Sequence, residues 1–173
     1  TDTLVETFTG PEFDLGQAPE GYWTLENGGG TFNNSGQYTI STSADFVGLS
    51  GEIGRGNFEA RIEVSHISWL ANFSKVIWEI NDGDGNAFVY FVEKGDTWMT
   101  LLVDLVTQAG NTRPVQVSIS TPSSVKLKIL WSDETKVWRV WYGLNGSEPT
   151  IEPAGSPITT YPVTSQSGRY MAI

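Results

Sequence analysis

Asn57-Phe58-Glu59-Ala60-Arg61-Ile62-Glu63-Val64 is the stretch on which the fold turns. Phe58, Ala60, Ile62 and Val64 take alternate positions, and Glu59, Arg61 and Glu63 fall between them. This two-residue period belongs to a strand with one buried and one wet face; a helix would scatter the same apolar residues around its axis. Outward from this stretch the pattern repeats, giving expected strands at 37–41, 75–80, 87–93, 98–107, 115–120, 125–131, 137–143 and 168–173. Residues 5–8 are expected to pair with the last of these at a sheet edge.

Turn residues separate the runs. Asn81-Asp82-Gly83-Asp84-Gly85-Asn86, Glu93-Lys94-Gly95-Asp96 and Asn145-Gly146 accept the positive φ of tight turns. Strands joined by short turns pair antiparallel, and about nine or ten of them exceed what one open sheet usually carries. The expectation is all-β: a two-sheet antiparallel β-sandwich. Residues 10–21, 28–30 and 147–162 are rich in glycine or proline and read as surface loops.

Bulk composition narrows the function. A chain of 173 residues without cysteine has no thiol nucleophile and no thiolate metal site. Twenty acidic against ten basic side chains give a net charge of −10, a field that repels nucleic acid and anionic membranes. No apolar run reaches the roughly 20 residues of a membrane span. Charged residues make up only 17%, and seven tryptophans are many for this length, as in extracellular β proteins. The chain opens at Thr1 and closes at Ile173. We expect one domain, 1–173, excised from a larger secreted or cell-surface protein and flanked there by neighbouring domains.

The order of features resembles the concanavalin A-like lectin and glucanase superfamily. The resemblance runs through Phe8 to Trp23, Gly36-Gln37-Tyr38-Thr39-Ile40, the Gly56–Val64 stretch, Asp82-Gly83-Asp84-Gly85-Asn86, Val125-Lys126-Leu127-Lys128-Ile129 and Val137-Trp138-Arg139-Val140-Trp141-Tyr142-Gly143. It implies a jelly-roll sandwich with one convex and one concave sheet. Members include lectins, carbohydrate-binding modules, glucanases, alginate lyases and adhesion domains, so fold does not choose the activity.

Catalytic patterns are incomplete. Retaining glycosidases need two carboxylates about 5–5.5 Å apart. The superfamily's glucanases carry them as Glu-x-Asp-x-Glu or Glu-x-Asp-x-x-Glu. Glu79 fits the first position, but Asn81 replaces the aspartate, and Gly83 and Asp84 stand where the second glutamate belongs. His66, the only histidine, lies outside any block like those of alginate lyases and reads as a loop or strand-end residue without catalytic duty. For metal, Asp82 and Asp84 offer hard oxygens suited to calcium, beside the plainer reading of a turn that favours Asp and Asn for backbone reasons. The resemblance also allows a structural calcium near the N-terminus, with Asp2, Glu6 and Asp45 as contributors. No cofactor is required.

The aromatics point to sugar. Glycan sites pair flat rings, which stack on apolar C–H faces, with a few polar groups that bind hydroxyls. Sorting each strand by its charged positions sends Trp98, Trp141, Phe91, Glu79, Arg139 and Asp104 to an outer face and Val76, Trp78, Ile80, Trp138, Val140 and Tyr142 to the core. The expected site is therefore an aromatic-lined concave face of Trp98, Trp141, Phe91, Glu79 and Arg139, with Trp69 a separate loop-borne candidate. The expected function is binding of a polysaccharide or oligosaccharide without cleavage. The alternatives are a glycan-degrading hydrolase or lyase of the same fold, and a calcium-dependent adhesin domain that binds protein or peptide.

Overall fold

The computed structural model describes residues 56–159 throughout and, as strand backbone alone, residues 23–27, 31–33, 37–39, 46–49 and 170–172. Its strands are β1 (Trp23–Asn27), β2 (Thr31–Asn33), β3 (Gln37–Thr39), β4 (Phe46–Leu49), β5 (Phe58–Ser65), β6 (Lys75–Asn81), β7 (Ala87–Lys94), β8 (Trp98–Thr107), β9 (Gly110–Ser120), β10 (Ser124–Ser132), β11 (Val137–Leu144) and β12 (Tyr170–Ala172). Every pairing is antiparallel. One sheet runs β1-β4-β12-β6-β7-β8-β9, the second runs β11-β10-β5, and β2 and β3 form a small ribbon. The protein is a two-sheet antiparallel β-sandwich, compatible with a jelly roll.

Alternation puts the right residues between the layers. From β6 and β7 come Val76, Trp78, Ile80, Phe88, Tyr90 and Val92; from β8 come Met99, Leu101 and Val103. They meet Leu127, Ile129 and Trp131 of β10 and Trp138, Val140 and Tyr142 of β11. Phe88 stacks on Trp138 with centroids 4.7 Å apart, and Tyr90 donates its hydroxyl hydrogen to the Trp141 carbonyl at 3.2 Å. Such a ring pair adds about 0.5–1.5 kcal/mol beyond the burial itself. The 57–64 stretch forms β5, and its Phe58, Ala60, Ile62 and Val64 pack against this core.

Three expectations change. β9 begins at Gly110, five residues ahead of the expected 115, because a Thr107 hydroxyl accepting from Ala109 and donating to Gly110 closes a tight turn there. The 147–162 stretch is not simply a loose loop. Ile151 and Ile158 pair with Tyr142 and Trp138, and a Cβ on Gly155 would fall 2.0 Å from the Pro114 carbonyl oxygen. The segment thus spans from β11 to β9, and only glycine permits its approach. Finally, β12 lies between β4 and β6, so the last strand is flanked inside the sheet instead of marking its edge. Residues 5–8 lie outside the described residues.

Candidate functional site

The expected outer face is divided between two sheets. Glu79, Phe91, Trp98 and Asp104 lie on the large sheet, while Arg139 and Trp141 lie on β11 of the small one, across the core. No single face gathers them. On the large sheet Phe91 is buried with Ala87, Val89 and Leu102 in a second apolar cluster. The Lys75 ammonium lies 5.6 Å from its ring centroid, and Arg113, paired to Asp104 through two hydrogen bonds, lies 5.8 Å away. On the small sheet Lys128 sits 4.1 Å and Arg139 5.1 Å from the Trp141 ring centroid. Arg139 also grips Glu152 through both its Nε and Nη2, and Glu152 accepts a hydrogen bond from Ser156. Arg139 thus ties the 151–158 segment to β11. Its bond holds the Glu152 carboxyl below the usual carboxylate range, against the opposing pull of partial burial.

In the 82–86 turn the Asp82 carboxylate is taken up by hydrogen bonds within the turn. Asp82 Oδ1 accepts from the backbone N–H of Asp84 and of Asn86 at 2.8 and 3.1 Å, and Oδ2 accepts from the Asn86 side chain at 2.7 Å. Partial burial pushes the Asp82 carboxyl up, yet those hydrogen bonds together leave it below its ordinary value. Asp84 is exposed, and Gln108 donates to its carbonyl. Among the described residues no group of three or more His, Asp or Glu side chains is placed to hold a metal ion. Glu79 lines a cleft of about 320 Å³ whose other walls include Asn81, Asn86 and Val106, and among the described residues it is the only carboxylate there.

The opposite end of the sandwich is built differently. Four connections meet there: 66–74, 95–97, 121–123 and 145–150. Backbone bonds tie them together, with Ile67 N–H donating to Ser123, Phe73 N–H to Lys94, Lys94 N–H to Ser74 and Thr121 N–H to Thr97. Asn145 Oδ1 accepts from both the backbone N–H and the hydroxyl of Ser123. A short 3-10 turn, Ile67–Trp69, sets the aromatic placement. Ile67 is fully buried and Leu70 packs on the core, one three-residue turn apart, so Trp69 between them points away. Trp69 is 80% exposed and Phe73 71%, the two most exposed large apolar side chains among the described residues.

Around them sit further rings. The His66 ring lies 4.2 Å from that of Trp69, and Phe73 meets Trp98 edge-on at 6.5 Å. Trp98 covers Gly95 so closely that a Cβ there would fall 2.0 Å from the indole. Phe73 and His66 hold φ of 67° and 57°, left-handed conformations that cost a bulky residue roughly 1–2 kcal/mol. Beside this group opens a polar cleft of about 430 Å³ lined by Ser68, Lys94, Asp96, Thr97, Thr121 and Ser123 among others.

Of the residues expected from sequence, Trp69 and Trp98 share this end. Phe73 and Lys94 were not among them. A bulky Phe between Asn72 and Ser74, outside any alternating run, is the signal that marks Phe73. Nothing in the sequence distinguishes Lys94 from an ordinary turn lysine. Fold and site together define a β-sandwich domain with an aromatic and polar loop end. No known protein family, curated protein or solved structure matches the chain.

Proposed function

We propose that this domain binds polysaccharide without cleaving it, through the loop end that carries Trp69, Phe73 and Trp98. One observation carries the reading. Two large rings stand exposed in left-handed or tightly turned backbone, on one connection bonded to its neighbours, where the core gains nothing from them. Strained residues kept at a surface are a mark of function, and exposed rings beside polar groups suit the stacking face and hydroxyl rim of a sugar. A two-sheet sandwich compatible with a jelly roll fits the concanavalin A-like resemblance, in which carbohydrate binding is common. A domain of this kind would work at a cell surface or after secretion, joined to other domains.

Affinity electrophoresis through gels containing β-glucan, xylan, mannan, alginate, agar or pectin, with and without EDTA, tests it. Retardation in at least one gel, unchanged by EDTA and without release of reducing ends or unsaturated products, is the expected result. Free migration through every gel refutes the reading, and product release would make the domain an enzyme.

A further inference from the structure

Lys94 stands apart from the other lysines. Lys75, Lys126 and Lys136 each lie within 4 Å of a carboxylate, those of Glu93, Glu148 and Asp133, and Lys128 rests over an indole ring. Lys94 is only 8% exposed and, among the described residues, has no carboxylate at ion-pair distance. Its ammonium donates to two neutral oxygens, Asn72 Oδ1 at 3.0 Å and the Gly95 carbonyl at 2.9 Å. An ammonium has three donors, so one remains. Buried charge is normally matched by opposite charge, because two dipoles do not replace the water it has lost. The residue is also held rigidly, its own N–H and carbonyl bonded to Ser74 and Phe73 across the loop end. It lines the polar cleft, as does Thr121, whose buried hydroxyl has no hydrogen-bond partner among the described residues.

We infer that the cleft takes an anionic sugar substituent, a carboxylate or a sulfate ester, with Lys94 as its counter-charge. The inference rests on the proposed glycan binding and names the class of glycan. Stacking on Trp69 and Phe73 is indifferent to charge; the fixed ammonium would select polymers that carry an acidic group within reach of the cleft. Selection is needed against a net charge of −10, which repels acidic polymers at long range, so the preference should depend on this one site. Asp96, exposed on the rim of the same cleft, opposes it.

The test compares each anionic polymer with its neutralised form. Polygalacturonate and carboxyl-reduced polygalacturonate form one pair, a sulfated galactan and its desulfated form the other, both measured by gel retardation and calorimetry on the intact chain. Binding at least tenfold tighter to one anionic polymer than to its neutral counterpart is expected, and the pair that shows it identifies carboxylate or sulfate. Lys94→Met should abolish that preference, and Asp96→Asn, which leaves every described hydrogen bond in place, should strengthen it about twofold. If Lys94→Met fails to fold, the wild-type pairs and Asp96→Asn decide alone. Equal binding to charged and neutral forms would overturn the anionic inference while leaving glycan binding intact. Binding to neither pair, nor to any neutral glycan, would overturn both.

Discussion

The two ends of the sandwich handle their polar and apolar groups in opposite ways. At the 82–86, 108–109 and 133–136 turns, side chains serve the backbone. Asp82 accepts from two backbone N–H groups and from the Asn86 side chain, Asn81 accepts from Gly83, Asn57 accepts from Asp133, and Lys136 pairs with Asp133. None of the large exposed apolar residues lies in those turns. At the other end, most of the securing bonds run between the backbones of the connections, with Asn145 added on Ser123, and side chains are left over: two exposed rings and, among the described residues, a cation without a counter-ion and an unpartnered hydroxyl. One end is finished as structure. The other holds groups that folding alone does not use, and that difference locates the site.

The sharpest break would come from the rings. Trp69→Ala combined with Phe73→Ala should weaken glycan binding by about 100-fold, or 2.7 kcal/mol. Its thermal midpoint should stay within about 2 °C, since truncating exposed side chains rarely moves stability far. Gel retardation and a melting curve check the two halves. Asp82→Ala should do the reverse: a loss of about 1–3 kcal/mol from the unsatisfied turn, read by urea unfolding, with affinity unchanged.

Phe73→Gly sets the two demands against each other at one residue. Relief of the left-handed backbone should stabilise the fold by about 1 kcal/mol, offset in part by glycine's greater unfolded entropy, while binding weakens. A variant both less stable and equally active would show Phe73 to be a packing residue. The smallest effect is expected at Glu152. Its carboxyl is lowered in the fold, so its contribution is present above the ordinary carboxylate range and disappears as pH falls through the lower folded value. Urea unfolding between pH 7 and pH 3 should show Glu152→Gln removing about 0.5 kcal/mol of that acid-dependent loss, small because Arg139 is partly exposed.

Much of the fold was legible because alternation is a local signal. Trp78, Trp138, Val140 and Tyr142 are buried and Glu79, Arg139 and Trp141 are not, as the charged positions on each strand required. Alternation says which residues share a strand's face, and nothing about which sheet the strand joins. That is why Trp141 and Trp98 could be read as neighbours although β11 and β8 belong to different layers. The burial of Phe91, Val89 and Leu102 on the outer side of the large sheet was hidden for a related reason, since an outward position was equated with an exposed one. Trp69 was legible as a ring outside any strand. Phe73 and Lys94 acquire their meaning only from contacts between connections more than 20 residues apart, bonds such as Phe73 N–H to Lys94 that no local pattern encodes.

Gel retardation of three proteins in parallel tests the central claim most directly: wild type, the Trp69→Ala/Phe73→Ala double variant, and Trp141→Ala. If the loop end is the site, Trp141→Ala should migrate like wild type in the retarding gel, because its ring is engaged by Lys128 and Arg139, and the double variant should run free. A double variant that is still retarded, beside a Trp141→Ala protein that runs free, would place binding on the small sheet and contradict the assignment.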